Sequence, residues 1–240
     1  MRNINLEPLK LTIILPIFNE ENTLLKILNS IEKQDYIKKQ IILVDDGSTD
    51  NSYEILKNYK FESEYKIIKH NKNNGKGSCI ISAKEHIRGD IVLIQDADLE
   101  YNPDDYYQML ENLIKKNLKC LYGSRVLGKK RYSQKNFTSI FRIFANHMLT
   151  ILSNIIYNQN LTDAHTCYKM IDSNLFSTIE LKEKGFSFCP EVTSKISKKG
   201  VKIEECQIQY NGRSYEDGKK INFIDGIEAL WVLLKYRFYD

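Results

Sequence analysis

The chain has 240 residues, of which 42% are hydrophobic and 28% are charged, and this mixture excludes a disordered or fibrous protein. Its 35 basic and 31 acidic residues leave a net charge of +4, and they are spread along the chain, so charge gives no support to nucleic-acid binding. The 5 cysteines include no C-x-x-C pair, which argues against a disulfide framework and a zinc ribbon and predicts a reducing, cytoplasmic location.

The first half of the chain alternates short apolar runs with segments of helical spacing. Strands are predicted at residues 11–16, 40–45, 65–69, 91–95 and 118–122. Helices are predicted over residues 24–31 and 80–87, and a further helix opens at Pro103. The strongest runs are apolar at nearly every position, as in strands buried on both faces. The alternation predicts an α/β fold with a doubly wound, mostly parallel sheet, whose ligands bind beyond the carboxyl ends of the strands.

The second half is less regular and predicts an elaborated helical C-terminal third. Residues 137–157 and 221–238 carry apolar and aromatic side chains at helical spacing, and each stretch is predicted to form an amphipathic helix. No composition shift marks a linker, so one domain over residues 1–240 is predicted. The first apolar run, residues 11–18, is short and polar residues follow it at once, so neither a signal peptide nor a membrane span is predicted there.

Two carboxylates follow the predicted strand 91–95, at the edge of the sheet where ligands bind. Asp96 and Asp98 are separated by one residue, so on an extended segment their side chains project with the same sense. Such a pair could hold Mg²⁺ or Mn²⁺ and leave coordination positions for substrate phosphates. The ion would then offset charge on a departing diphosphate. The alternative is that both residues are solvated turn residues or helix caps.

Other polar loops follow predicted strands at the same edge, at residues 16–20, 45–50 and 73–77. In structural terms, Asn19 caps a helix that begins at Glu20, and residues 46–48 form a turn that leads to a helix near Asp50. In functional terms, the glycines of the third loop allow close backbone approach, and Lys76 could meet a phosphate. The absence of P-loop and G-x-G-x-x-G motifs disfavours P-loop nucleotide hydrolysis and dinucleotide redox chemistry.

Six short motifs run along the chain in a fixed order. They are P-I-F-N-E at 16–20, V-D-D-G-S-T-D at 44–50, N-x-G-K-G at 73–77, Q-D-A-D-L-E at 95–100, G-S-R at 123–125 and R-x-x-x-x-G-K-K-I at 213–221. Together they resemble glycosyltransferase family 2, with the GT-A fold, and within it the dolichol-phosphate mannose synthase-like branch that transfers sugars to polyprenyl phosphates. The resemblance implies a nucleotide-sugar-binding half over residues 1–125 and an acceptor-side half over residues 126–240.

The resemblance also implies a role for each matching residue. The nucleotide pocket would be lined by Pro16, Phe18, Asn19 and Glu20, with Asp45 and Asp46 at the base or ribose. The metal ion, Mg²⁺ or Mn²⁺, and the sugar nucleotide would be held by Asp96, Asp98 and Glu100, flanked by Gln95 and Ala97. Basic residues near the donor diphosphate or an anionic acceptor would be Lys76, Arg125, Arg213, Lys219 and Lys220.

One stretch departs from the pattern of this branch. Residues 163–170 read D-A-H-T-C-Y-K-M, where many synthases carry an Asp followed by Ser/Thr-Gly-Phe-Arg. Asp163 and His165 are therefore candidates for contact with the acceptor. The alternative is that Asp163 is buried and ties a loop to backbone amides, while His165 only packs.

The acceptor decides which further residues take part in catalysis. The resemblance implies an inverting, single-displacement transfer of a hexose from a UDP- or GDP-sugar. A polyprenyl or dolichyl phosphate has its second pKa at about 6 and needs no base, whereas a glycan hydroxyl in cell-surface polysaccharide synthesis needs one. Glu191 is the candidate base, and its alternative role is that of an acid that complements a helix dipole. With a phosphate acceptor, basic residues such as Arg125 and Arg213 matter more.

Three classes of function remain open at this point. The first is the sugar transferase, the second a sugar nucleotidyltransferase and the third a non-catalytic homologue, against which the presence of both Asp96 and Asp98 speaks. The two amphipathic helices either pack in the core or form an interfacial face for a polyprenyl chain. The second reading gives a further hypothesis, in which the protein contacts the cytoplasmic face of a membrane.

Overall fold

The computed structural model describes residues 6–128, 137–212 and 223–239. Within these residues, seven strands form one sheet in the order β3-β2-β1-β4-β6-β5-β7. They are β1 Lys10–Ile17, β2 Lys38–Asp45, β3 Glu64–Lys69, β4 Ile91–Ile94, β5 Cys120–Ser124, β6 Lys169–Asp172 and β7 Glu204–Gln207. Strand β6 runs antiparallel to its neighbours β4 and β5, and the other strand pairs are parallel.

Helices lie between the strands and on both faces of the sheet. They are α1 Leu24–Glu32, α2 Ser52–Asn58, α3 Lys76–Lys84, α4 Tyr106–Lys115, α5 Phe137–Tyr157, α6 Ser173–Ser177, α7 Phe188–Lys198 and α8 Phe223–Phe238. A single 3-10 turn, Pro103–Asp105, precedes α4. No helix in the described part of the chain is long and apolar enough to cross a membrane.

The alternation of side chains along each strand builds two cores. In β1, Ile13 and Leu15 pack into the core that is covered by α1 and α4, whereas Ile14 packs into the core that is covered by α3 and α7. This two-sided burial explains why the strand sequence is apolar at nearly every position. Leu25 is 51% exposed because it lies on the outer side of α1, away from the helix's buried residues.

The predicted mostly parallel sheet is confirmed, and the differences from the predicted elements have local causes. Helix α3 begins at Lys76 rather than at residue 80, because its first turn contains glycine and serine and so gives no apolar periodicity. Strands β6 and β7 have 4 residues each, and neither is apolar throughout, so the sequence did not predict them. Residues 221 and 222 of the predicted C-terminal helix lie outside the described residues.

Candidate active site

The loop after β4 is anchored from beneath by Gln95. This side chain is fully buried, and its Oε1 accepts hydrogen bonds from the hydroxyls of Tyr106 at 2.6 Å and Tyr168 at 2.5 Å. Its Nε2 donates to the backbone carbonyl of Asp96 at 2.9 Å. Leu99 has a φ of +63°, so the loop turns sharply within the predicted acidic motif. The acidic motif is therefore presented by a fixed backbone at the end of the strand.

Asp96 forms a nearly buried ion pair with Lys76, the residue that opens α3. The Lys76 ammonium donates to the Asp96 carboxylate and lies 2.9 Å from the Sγ atom of Cys167. Burial alone would raise the pKa of Asp96, but the nearby Lys76 charge holds that pKa below its ordinary value. Burial likewise favours the neutral amine of Lys76, and Asp96 nevertheless raises the lysine pKa well above its usual range. Both groups are therefore charged at neutral pH.

Asp98 and Glu100 take separate positions beyond Asp96. The Asp98 carboxylate accepts a hydrogen bond from the backbone N–H of Glu100 at 3.1 Å, and the Glu100 carboxylate accepts one from the Tyr210 hydroxyl at 2.7 Å. Within the described residues, Asp96, Asp98 and Glu100 do not bring three carboxylate oxygens within 4.8 Å of one another. Asp96 and Asp98 nevertheless fit a hard divalent cation, because carboxylate oxygens are the ligands that such an ion prefers. The ion pair with Lys76 shows that a positive charge can be placed against the Asp96 carboxylate.

The Asp46 carboxylate binds the backbone of the 73–77 loop. Its Oδ1 accepts from the backbone N–H of Asn74 at 3.0 Å and lies 2.7 Å from Nδ1 of His70, while its Oδ2 accepts from the N–H of Gly75 at 2.7 Å. Within the described residues, Asp46, His70 and Cys79 place their ligand atoms within 4.8 Å of one another. Burial raises the pKa of the Cys79 thiol, so the thiolate form that metals prefer is disfavoured there. This cluster is best explained as a hydrogen-bonded anchor for the loop.

Asp45, next to it in the sequence, is in the opposite situation. Its side chain is fully buried, and neither carboxylate oxygen has a hydrogen-bond partner among the described residues. An unsatisfied buried carboxylate is costly unless a donor reaches it. Asp45 and Asp46 are the two acids predicted to bind the base or ribose. The Asp45 oxygens can still accept hydrogen bonds, whereas the Asp46 oxygens already accept them from groups within the protein.

The loop after β1 is bonded to the loop after β2. Asn19 has a φ of +52°, and its Oδ1 accepts from the backbone N–H of Thr49 at 2.8 Å. The N–H of Glu20 donates to Oγ of Ser52 at 2.8 Å. Helix α1 begins at Leu24, so the prediction that Asn19 caps a helix starting at Glu20 is wrong. The structure places Pro16 and Phe18 half-buried beside these loops, and it buries Ala97 in the loop after β4.

Arg125 follows β5 and makes a two-pronged ion pair with Asp163. Its Nε and an Nη atom each donate to a different carboxylate oxygen at 2.7 Å, and its backbone N–H donates at 3.1 Å. Burial alone would raise the pKa of Asp163, but Arg125 keeps that pKa below its ordinary value. The guanidinium also lies 5.3 Å from the centre of the Tyr210 ring. Arg125 is thus held beside the tyrosine that binds Glu100.

His165 lies near this ion pair as a neutral side chain. Burial lowers the pKa of His165 to about 4, with Lys169 acting in the same direction. Its Nε2 atom is buried and has no hydrogen-bond partner among the described residues. His165 is therefore a neutral side chain in the loop that also carries Asp163, and its Nε2 atom makes no hydrogen bond within the described residues.

Glu191 is placed in the interior, away from a role in proton transfer. Its carboxylate is fully buried and accepts from the backbone N–H groups of Lys182 at 2.7 Å and Glu183 at 2.9 Å, and from Nζ of Lys195 at 3.0 Å. These bonds tie the 182–183 backbone to the first turn of α7. This arrangement fits the structural alternative for Glu191 rather than a base at the acceptor.

Some predicted site residues fall outside this description, and some site residues were not predicted. Arg213, Lys219 and Lys220 lie outside the described residues. Several residues that sequence reasoning did not single out contact predicted site residues, among them His70, Cys167 and Tyr210. His70 is the first residue after β3. Other candidate site residues were predicted because they follow strands, so the same argument could have identified His70. The other two carry no local signal, because their partners are distant in the chain.

The mostly parallel sheet, with acidic, amide and basic side chains beyond its strand ends, defines an α/β domain with a candidate ligand site at that edge. Glucosyl-3-phosphoglycerate synthase from Mycobacterium tuberculosis, solved with uridine diphosphate, has this fold with a TM-score of 0.70 at 14% identity, over 95% of this chain and 80% of that one. The same protein solved with Mn²⁺ and UDP-glucose gives a TM-score of 0.67 at 15% identity, over 95% and 79%. The predicted GT-A fold is thereby confirmed.

The sequence model of Glycosyl transferase family 2 matches residues 12–179, so the chain belongs to glycosyltransferase family 2. It is 27% identical over 245 residues to dolichyl-phosphate beta-glucosyltransferase ALG5A of Trichomonas vaginalis, covering 95% of this chain and 73% of that protein. It is 25% identical over 240 residues to UDP-N-acetylglucosamine--dolichyl-phosphate N-acetylglucosaminyltransferase of Methanococcus voltae, covering 92% and 94%. The predicted family resemblance is confirmed.

Proposed function

We propose that the chain transfers a hexose, with inversion, from a UDP- or GDP-sugar to a polyprenyl phosphate. The observation that carries this proposal is the nearly buried Asp96–Lys76 ion pair, in which Asp96 follows β4 and is separated from Asp98 by one residue. An acid pair beside a lysine suits a diphosphate donor, because carboxylates hold the ion and ammonium meets the phosphates. The similarity to dolichyl-phosphate transferases supports the acceptor.

The proposed roles follow from where the side chains lie. Asp96 and Asp98 would hold Mg²⁺ or Mn²⁺, which when bound offsets the charge of the leaving diphosphate. Lys76 would turn to the donor phosphates, and Asp45 would accept a hydrogen bond from the base or ribose. Arg125, held by Asp163, would face an anionic group on the acceptor side. Residues 1–125 then supply the donor side of a single domain over residues 1–240.

The state of Glu191 favours a phosphate acceptor over a hydroxyl. An acceptor hydroxyl must lose its proton to a base, whereas the oxygen of a phosphate monoester is already anionic near neutral pH. Glu191, the candidate base for a hydroxyl acceptor, already accepts three hydrogen bonds from groups within the protein. Transfer to a glycan hydroxyl remains the second candidate, and it would need another base.

A lipid acceptor requires the protein to work at a membrane surface. Helices α5 and α8 contact each other through the Tyr157 hydroxyl, which donates to the backbone carbonyl of Leu233 at 2.7 Å. Each helix also carries large apolar side chains that are exposed, namely Phe144, Met148, Ile151 and Ile155 on α5 and Ile227, Leu230, Trp231, Leu234 and Phe238 on α8. We assign these two stripes to contact with the cytoplasmic face of a membrane.

The proposal is tested by transfer assays with purified protein and Mn²⁺. UDP-glucose, UDP-N-acetylglucosamine and GDP-mannose are each offered with a polyprenyl phosphate, and the matched control acceptor is the same polyprenol without phosphate. We expect sugar transfer to the phosphate only, and at least about a hundredfold loss in Asp98→Asn if the acid acts on the transition state. Asp35→Asn, an exposed acid between α1 and β2, is the control variant. Transfer to the unphosphorylated acceptor, or full activity in Asp98→Asn, would overturn the proposal.

A further inference from the structure

The Lys76 side chain is confined by two partners at the acidic loop. Its ammonium donates to the Asp96 carboxylate and is 2.9 Å from Sγ of Cys167. Its side chain is only 10% exposed, and that of Asp96 is 16% exposed. The counter-ion of Asp96 in this structure is therefore a lysine of the same chain.

The backbone that carries Lys76 is fixed on both sides. Before it, the N–H of Gly75 donates to the Asp46 carboxylate at 2.7 Å. After it, the N–H of Gly77 donates to the carbonyl of Gly185 at 3.3 Å, and the N–H of Ser78 donates to that of Lys184 at 3.0 Å. A change in the position of the Lys76 charge thus requires only rotation of its side chain, which has four carbons between backbone and ammonium.

We propose that Lys76 competes with the divalent cation for Asp96, so that the cation binds tightly only after a diphosphate has drawn Lys76 away. This inference rests on the proposed function, because it takes the donor to be a nucleoside diphosphate sugar. Two cations beside one buried carboxylate repel each other strongly, since a partly buried site screens charge poorly. A diphosphate gives Lys76 a new anionic partner and leaves Asp96 to the metal ion.

The consequence is positive coupling between cation and diphosphate. If the diphosphate raises the affinity for the cation, the cation raises the affinity for the diphosphate by the same factor. The protein then keeps Asp96 neutralised between turnovers and assembles the metal site only around its donor. Cys167 contributes by holding Lys76 in the competing position.

The test measures binding of Mn²⁺ alone, without nucleotide, from the electron paramagnetic resonance signal of the free ion. We expect Lys76→Met to bind Mn²⁺ at least about tenfold more tightly than the wild type, because a competing unit charge is removed. Lys76→Arg keeps the charge and should bind as weakly as the wild type. Lys72→Met, at an exposed position of the same loop region, is the matched control and should leave the affinity unchanged.

A second variant keeps the test valid if Lys76→Met does not fold. Cys167→Ala removes one partner of Lys76 without changing any charge, and we expect Mn²⁺ affinity to rise about threefold, as the loss of one hydrogen bond allows. Unchanged or weaker Mn²⁺ binding in both variants would refute the competition. UDP and GDP titrations, run separately, report on the donor, so failure of the proposed function shows there and leaves the Mn²⁺ comparison interpretable.

Discussion

Several buried charges in this protein are held by specific partners, and Glu191 shows how such a pair stabilises the fold. The side chain is fully buried and Lys195 is 6% exposed, so both ions have lost most of their water. Two backbone N–H groups and the Lys195 ammonium replace that water. Loss of one partner would leave the other buried without compensation, which costs more than the intact pair contributes.

Glu191→Gln tests whether this residue is structural or catalytic. The amide has no charge for Lys195 and turns an NH₂ group toward backbone donors, so we expect the free energy of unfolding to fall by about 3 kcal/mol. Below the melting temperature, kcat should stay within about twofold of the wild-type value, because a group outside the reaction does not change the transition-state energy. Urea unfolding and the transfer assay measure the two effects. A large loss of kcat in a stable, folded variant would restore Glu191 as a base.

His165 predicts a specific loss of stability in mild acid. Burial and Lys169 lower its pKa to about 4 in the folded protein, against an ordinary value of 6.5. Between those two pH values the unfolded chain binds a proton that the folded chain does not, so stability falls as the pH is lowered through this window. The full effect is about 3 kcal/mol, and it is complete once the pH passes below about 4.

The measurement compares urea unfolding of the wild type and His165→Gln between pH 7.5 and 4. Carboxylates such as Asp50, whose charged form is favoured by hydrogen bonds from Ser52, also lose stabilising charge in acid, and they do so in both proteins. We therefore expect the wild type to lose about 3 kcal/mol more than the variant over this range. Parallel curves for the two proteins would show that His165 is not held in its neutral form.

At the residue level, the sequence singled out candidate side chains but specified none of their partners. The acids were predicted because they directly follow apolar runs, and Lys76 because it lies in the loop after the predicted strand 65–69. That Lys76 pairs with Asp96, 20 residues away, and Arg125 with Asp163, 38 residues away, depends on how the strands and loops pack. Glu191 and Lys195 are 4 residues apart on one helix, so their ion pair could have been predicted from the sequence spacing.

At the scale of elements, the 73–77 loop and the 182–185 backbone form one packed unit. A Cβ atom placed on Gly77 would lie 2.0 Å from the carbonyl oxygen of Glu183 and 2.9 Å from the carbonyl carbon of Lys184. Glu183 is held in turn by α8, where Lys235 donates to its carboxylate at 2.7 Å and Tyr236 at 2.8 Å. The C-terminal helix thus supports the backbone against which the lysine loop rests.

Gly77→Ala tests this contact between elements. The clash is with backbone atoms, so the loop must shift, and we expect a loss of about 2 kcal/mol in unfolding free energy. Because Lys76 moves with the loop, the KM for the donor should rise more than kcat falls. The matched control is Gly226→Ala in α8, where no atom lies within 4 Å of the added Cβ. That change should stabilise the protein by about 0.5 to 1 kcal/mol. Equal effects of the two substitutions would contradict the packing described.

The elements that sequence could predict are those with a strong period. Strands β1, β2 and β4 are buried on both faces, so their apolar runs identified them, and the 21 residues of α5 gave a clear helical repeat. Strand β6 was not predicted, because it has only 4 residues and one of them is a lysine, which interrupts the apolar pattern although its side chain is fully buried. That Lys169 side chain donates to the carbonyl of Ala164 at 3.0 Å and lies 3.7 Å from the centre of the Tyr122 ring, partners that no local pattern specifies.

At the scale of the whole molecule, the polar strand ends and the apolar helix stripes lie on connected elements. Trp231 and Val232 of α8 line a cavity together with residues 182–185 and Ser187. The same 184–185 backbone accepts the N–H groups that follow Lys76. The proposed function therefore predicts that a lipid phosphate bound near Lys76 has the exposed side of α8 near its hydrocarbon chain, as transfer at a membrane surface requires.

The chain's single tryptophan reports on this contact. Trp231 is 60% exposed, so transfer to a lipid interface should shift its fluorescence emission to shorter wavelength when vesicles of phosphatidylcholine and phosphatidylglycerol are added. Phe238→Ser removes a side chain that is 74% exposed on the same helix, and we expect vesicle affinity to fall by about tenfold, as the loss of one buried aromatic group implies. Leu25→Ser, at a 51% exposed position on α1, should leave the affinity unchanged. An emission spectrum that vesicles do not alter, together with protein that stays at the bottom of a flotation gradient, would show that the apolar stripes of α5 and α8 do not contact lipid.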